Sequence, residues 1–187
     1  MNYETILLDR ENHITTVTLN RPDKLNALNM RMAEELHEAL AIEDDDDDTR
    51  VIVITGSGRG FCSGAALTPS NSPGEARSYT PPSLADATFE ALQIKKPIIA
   101  SINGVAVGGG CTMTLSCDLR IASEEARFQL PFTKLSISAE LGSTYLLPRL
   151  VGFGKATELI LTSRMIDARE ALSIGLVNQV VPADELL

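Results

Sequence analysis

"KKPIIASINGVAVGGGCTMTLSC" spans residues 95–117. Residues 98–107 form a nearly all-apolar run, bounded by Pro97 and three consecutive glycines. A strand that is apolar on both faces belongs inside a sheet covered on both sides. The glycines then open a helix-compatible segment, "GGGCTMTLSC". The order is buried strand, glycine turn, helix, and it occurs elsewhere. "RVIVIT" (50–55) reads as a buried strand and runs into "GSGRGFCSGA" (56–65). "DLRIAS" (118–123) reads as a third buried strand. Upstream, "YETILLD" and "ITTVTLN" read as two strands joined by the polar turn "RENH". Asn29 is placed to N-cap a helix from Met30 to about Glu43, with Met32, Leu36 and Leu40 forming one buried stripe. "LADATFEALQI" (84–94) reads as a helix stopped by Pro97, after a loop at 68–83. "GKATELILTS", "DAREALSIG" and "VNQVV" read as helix, helix and strand. The class is α/β with crossover connections, and residues 1–187 show no firm domain boundary.

The chain has 187 residues, 44% of them hydrophobic, enough to bury a substantial core. Its net charge of −9 argues against a nucleic-acid partner. No apolar run reaches membrane-spanning length, and the first residues lack the basic and apolar regions of a secretory signal. Cys62, Cys111 and Cys117 are an odd number without a CxxC pair. They read as reduced thiols in a cytoplasmic compartment, with no disulfide and no metal site. His13 falls in a polar turn and His37 on a charged helix face, so a histidine-dependent triad is not expected. The acidic run "DDDDD" (44–48) reads as a solvated connector.

The glycine turns fit phosphate loops poorly: "GSGRG" is followed by Phe61, and neither turn carries the Lys-Ser/Thr pair of a P-loop. They suit another use. Without a Cβ, the backbone can approach a ligand and aim N–H groups at it. Two such turns, each after a strand and each opening a helix, can direct two N–H groups at one oxygen. Tight packing of turn on helix is the alternative.

At these turns the chain resembles the crotonase superfamily, the enoyl-CoA hydratase/isomerase proteins. The matching segments are "NRPDKLNALN" (20–29), "GRGFCSGAAL" (58–67), "KKPIIASINGVAVGGGC" (95–111), "CDLRIAS" (117–123) and "GKATELILTSRMIDAREALSIGLVNQVV" (154–181). The resemblance implies a spiral of β-β-α turns, assembled as a homo-trimer or a dimer of trimers. It implies an acyl-CoA thioester as substrate, with coenzyme A part of that substrate and no separate cofactor. The C-terminal helical trimerisation region of such proteins is expected to be short or missing here. The oxyanion donors implied are the amides of Ala65 and Gly109. Ser63, Gly64, Ala65, Ala66 and Leu67 would line the coenzyme A path, with Ala66 standing where relatives often have Asp. Lys24, Leu25 and Ala27 would touch coenzyme A, as would Gly109 and Gly110. Arg21 and Lys24 are candidate phosphate partners.

Hydratases of this family use two glutamates, one directly after "GGGC" and one after a Pro in the next loop. Those places hold Thr112 and Phe132 here. Hydration needs a group to activate water and a proton donor, and neither residue serves. The isomerase branch instead carries one glutamate eight residues past the Phe position, which is Glu140 in "SISAELGS" (136–143). The resemblance therefore implies Δ3,Δ2-enoyl-CoA isomerase chemistry in fatty acid metabolism. Glu140 would carry a proton from C2 to C4. Another reaction of the family (enoyl-CoA hydration, or hydrolysis, decarboxylation, dehalogenation or a ring reaction of a CoA ester) and a non-catalytic acyl-CoA-binding scaffold remain open alternatives.

Overall fold

The computed structural model describes residues 3–66 and 94–187. Strands β1 (Ile6–Glu11) and β2 (Ile14–Leu19) form an antiparallel hairpin. Helix α1 (Met30–Asp45) follows, with the Asn29 side chain accepting the Met32 N–H at 2.9 Å as its N-cap. Then come β3 (Val51–Gly56), β4 (Gly60–Cys62), β5 (Ile98–Ile102), β6 (Val105–Val107) and a short helix α2 (Gly109–Thr112) continued by a 3₁₀ turn (Met113–Ser116). Strands β7 (Leu119–Ser123) and β8 (Arg127–Gln129) precede α3 (Ser143–Val151) and α4 (Phe153–Thr162). The described chain closes with β9 (Ile166–Asp167), α5 (Ala168–Ser173) and β10 (Gln179–Val181).

The strands make two sheets. The larger has the order β1-β2-β3-β5-β7-β10, parallel from β2 onward. The smaller has the order β4-β6-β8-β9, parallel through β8. Each turn of the chain thus leaves one strand in the large sheet and the next in the small one: β3 then β4, β5 then β6, β7 then β8. That is the spiral of β-β-α turns.

The corners between sheets are stacked on one another, and this corrects the sequence reading. Residues 98–107 look like one buried strand but are two, in different sheets. The break is at Asn103-Gly104. The Asn103 side chain accepts the Gly56 N–H at 3.2 Å and donates to the Gly58 carbonyl at 2.9 Å. A Cβ on Gly104 would lie 2.3 Å from the Arg59 carbonyl oxygen, so only glycine allows the corners to touch. Asn26 ties the same corner from the other side, donating to the Ser57 and Gly60 carbonyls at 2.9 and 2.8 Å.

The core runs along this spiral. Met32, Leu36 and Leu40 of α1 are buried, as their spacing predicts, against Val17, Leu19, Ile52 and Ile54 of the sheet. The acidic run is less free than its composition suggests. Residues 44 and 45 still belong to α1, and Asp44 accepts the Lys95 and Lys96 backbone N–H groups at 2.8 and 3.1 Å. The helix expected over 84–94 and the loop over 68–83 lie outside the described residues, except for Ile94. His13 sits in the β1–β2 turn and His37 on the exposed face of α1, both as expected. All three cysteines are buried free thiols.

Candidate active site

The loop before α1 and the turn after β4 run side by side. Ser63 donates its N–H to the Leu25 carbonyl at 2.9 Å, and Leu28 donates to the Gly64 carbonyl at 2.8 Å. Ala66 donates to the Leu28 carbonyl at 2.7 Å. Leu28 and Ala65 therefore form a single parallel bridge. Leu28 uses the residues on either side of Ala65, so Ala65 turns its own N–H away from Leu28.

The second turn arrives beside it. Gly64 has φ +94, and a Cβ there would lie 2.7 Å from the Val107 carbonyl oxygen and 3.6 Å from the Gly109 nitrogen. Only glycine lets the 63–66 turn approach the 107–109 turn this closely. Gly109 opens α2, so its N–H has no helical partner. Among the described residues, neither the Ala65 nor the Gly109 N–H has a hydrogen-bond acceptor. Gly110 does a different job. A Cβ on it would meet the Cys62 carbonyl oxygen at 2.2 Å, so this glycine packs α2 onto β4.

Glu140 reaches the same place from the far side of the chain. A Cβ on Gly109 would stand 3.4 Å from Glu140 Oε1, 3.5 Å from Leu28 Cδ1 and 3.8 Å from Leu141 Cδ1. The carboxylate and the two leucine side chains thus converge on the Gly109 turn, and Glu140 is half-buried. The chain brings Ala65, Gly109 and Glu140 together from segments that are far apart in sequence.

No acid stands at the two positions where the resemblance implies the hydratase glutamates. Thr112 is fully buried, and its hydroxyl donates back to the Gly108 and Gly109 carbonyls at 3.2 and 3.4 Å. Phe132 is a core residue, 2% exposed. No group of His, Cys, Asp and Glu side chains suited to a metal ion occurs among the described residues.

Of the residues expected on the coenzyme A path, Ser63, Gly64, Ala65 and Ala66 line the turn described above, while Leu67 lies outside the described residues. Lys24 is exposed at its rim, and Ala27 is half-buried in the facing loop. Leu25 packs its side chain over Gly60. Arg21 is more committed than a loop cation: its guanidinium donates to the Ala27 carbonyl, and its backbone N–H donates to Asn26 Oδ1 at 2.8 Å. That leaves other guanidinium N–H groups for an anion.

Residues 9–187 match the family model described as enoyl-CoA hydratase/isomerase. The chain belongs to the enoyl-CoA hydratase/isomerase family. It is 41% identical over 191 residues to a crotonyl-CoA hydratase of Syntrophomonas wolfei, covering all of this chain and 73% of the relative. Among solved structures, an enoyl-CoA hydratase from Bacillus anthracis superposes with a TM-score of 0.92 at 39% identity, over 98% of this chain and 72% of that one. A monofunctional enoyl CoA isomerase from M. smegmatis superposes with a TM-score of 0.83 at 38% identity, over 97% of this chain and 79% of that one. Enzymes acting on acyl-CoA thioesters are the family's business, and this chain has the crotonase fold that goes with it. The similar proteins include both hydratases and an isomerase.

Proposed function

We propose that the protein is a Δ3,Δ2-enoyl-CoA isomerase acting with one carboxylate. The observation that carries this reading is the proximity of Glu140 Oε1 to the Gly109 turn, together with Thr112 and Phe132 at the two hydratase positions. A 3-enoyl thioester would bind with its carbonyl oxygen between the Ala65 and Gly109 amides. Glu140 removes a proton from C2, and the C2–H electron pair enters a dienolate whose negative charge falls on the thioester oxygen. The two N–H groups stabilise that charge, and losing one such donor typically costs about 3 kcal/mol of barrier. The dienolate then takes the proton back at C4, the double bond moves to C2–C3, and Glu140 is a carboxylate again. No water is consumed, so a second acid has no task.

The Leu28 and Leu141 side chains reach the Gly109 turn along with the carboxylate, and water excluded from that turn by a bound thioester would strengthen the interaction between the oxyanion and its donors. Hydration would need a second group at Thr112 or Phe132, and the Thr112 hydroxyl is already turned onto helix carbonyls.

The test uses trans-3-hexenoyl-CoA, followed by the absorbance of the conjugated product, with crotonyl-CoA hydration measured in parallel. The wild-type chain is expected to isomerise the first and leave the second nearly unchanged. Glu140→Gln is expected to lower isomerase kcat by about 10²–10⁴-fold, the range of a general base. Turnover that survives this substitution, or crotonyl-CoA hydration that outruns isomerisation, would overturn the proposal.

A further inference from the structure

Glu140 is followed by two residues with positive φ, Leu141 at +51° and Gly142 at +69°. The Ser143 N–H donates to the Glu140 carbonyl at 3.0 Å, closing a four-residue turn. Positive φ at both central positions is the type I′ pattern, which favours Asn, Asp or Gly at its first central residue. Leucine there is costly, because its Cβ crowds the following carbonyl. Strain of this kind persists only where the surroundings over-determine it. Here the compensation is visible: Leu141 is 6% exposed, and its Cδ1 lies beside Gly109 on the same side as Glu140 Oε1.

We infer that Leu141 is a positioning residue for the carboxylate. Its buried side chain anchors the turn to the Gly109 corner, and its left-handed backbone fixes the direction in which Glu140 leaves the chain. A residue with an ordinary negative φ would send the Glu140–Gly142 peptides elsewhere, and a residue without the side chain would leave the turn unanchored. The inference rests on Glu140 being the base, and it adds a residue that the reaction itself does not touch.

Leu141→Gly separates the two contributions. Glycine accepts the positive φ without strain, so the backbone can keep its path while the anchor is lost. Leu141→Met retains an apolar side chain of similar reach. With trans-3-hexenoyl-CoA, Leu141→Gly is expected to lower kcat by about tenfold or more while KM stays within about twofold, because small misplacement of a reacting group is expensive in rate. Leu141→Met is expected to restore most of kcat. A Leu141→Gly kcat within about twofold of wild type overturns the inference. So does a fall in kcat matched by an equal loss of thioester binding, since that would report collapse of the site and not the aim of the carboxylate. So does a Leu141→Met kcat as low as that of Leu141→Gly. Glu140→Gln, measured alongside, keeps the two failures apart. If Glu140→Gln abolishes turnover and Leu141→Gly does not lower it, the positioning role alone falls.

Discussion

Two neighbouring glycines show how differently one residue type is used. Gly110 has the Cys62 carbonyl oxygen 2.2 Å from where a Cβ would be, and this is backbone that cannot step aside. Gly110→Ala is therefore expected to destabilise the protein by about 3 kcal/mol or more, seen as a lower urea midpoint. Gly109 has only ordinary contacts, at 3.4 to 3.8 Å, around the same imagined carbon. Gly109→Ala should melt close to wild type. Its methyl group would stand between the Gly109 turn and the Glu140 carboxylate, and kcat for 3-enoyl-CoA isomerisation should drop by about 10²-fold. If both variants lost stability equally, the division of labour between these glycines would be wrong. The sequence shows "GGG" but not which glycine serves packing and which serves the site. That depends on what the distant segments 62 and 140 bring against them.

At the scale of elements, α1 is held by two buried carboxylates that its hydrophobic stripe does not reveal. Glu35 accepts the Glu4 and Thr5 N–H groups, both at 2.8 Å, with Arg31 Nε at 3.0 Å. Glu43 accepts the Thr15 and Thr49 hydroxyls at 2.7 Å and pairs with Arg10. Burial pushes both carboxyls up, but these donors outweigh it and hold each below the ordinary carboxylate range. A carboxyl depressed in the folded state contributes stability that is present above its unfolded value. That stability is lost as pH falls through the folded value. The melting temperature is thus expected to fall between about pH 5 and pH 2, and Glu43→Gln should fall less steeply over that range. At neutral pH the same substitution should cost about 2 kcal/mol. Equal slopes for the two proteins would rule the network out as a source of acid sensitivity. The strands, α1 and its buried stripe were legible because their periodicity is local. The split of 98–107 into β5 and β6 was not, since it is made by Asn103 and Gly104 meeting residues 56–59 across the spiral. Helix α3 was not assigned from sequence either: Pro148 lies inside it, and what orders it is the packing of buried Leu147. For the candidate site, the family resemblance points to Glu140, Ala65 and Gly109, and their convergence is a property of the fold alone.

For the whole molecule, the three thiols report on how the spiral opens. Cys62 lies in β4, and Cys111 in α2 and Cys117 after the 3₁₀ turn both fall between β6 and β7, so they sample two successive turns of the chain. Burial pushes each thiol up to about 12, well above the unfolded value of about 8.5. A thiol raised in the folded state stabilises fully below the unfolded value. The contribution is lost as pH rises from about 8.5 toward the folded value, because unfolded chains then ionise and native ones do not. The urea midpoint should therefore decline on the alkaline side of about pH 8.5. Thiolate is the reactive form, so a disulfide reagent at about pH 8 should leave the native protein unlabelled and modify all three cysteines only as urea unfolds it. If the large and small sheets form one cooperative unit, the three sites will label together along the same urea transition. Cys62 labelling ahead of Cys111 and Cys117 would instead show that β4 detaches before the rest. The 63–66 turn that follows it would then be the weak point of the proposed oxyanion site.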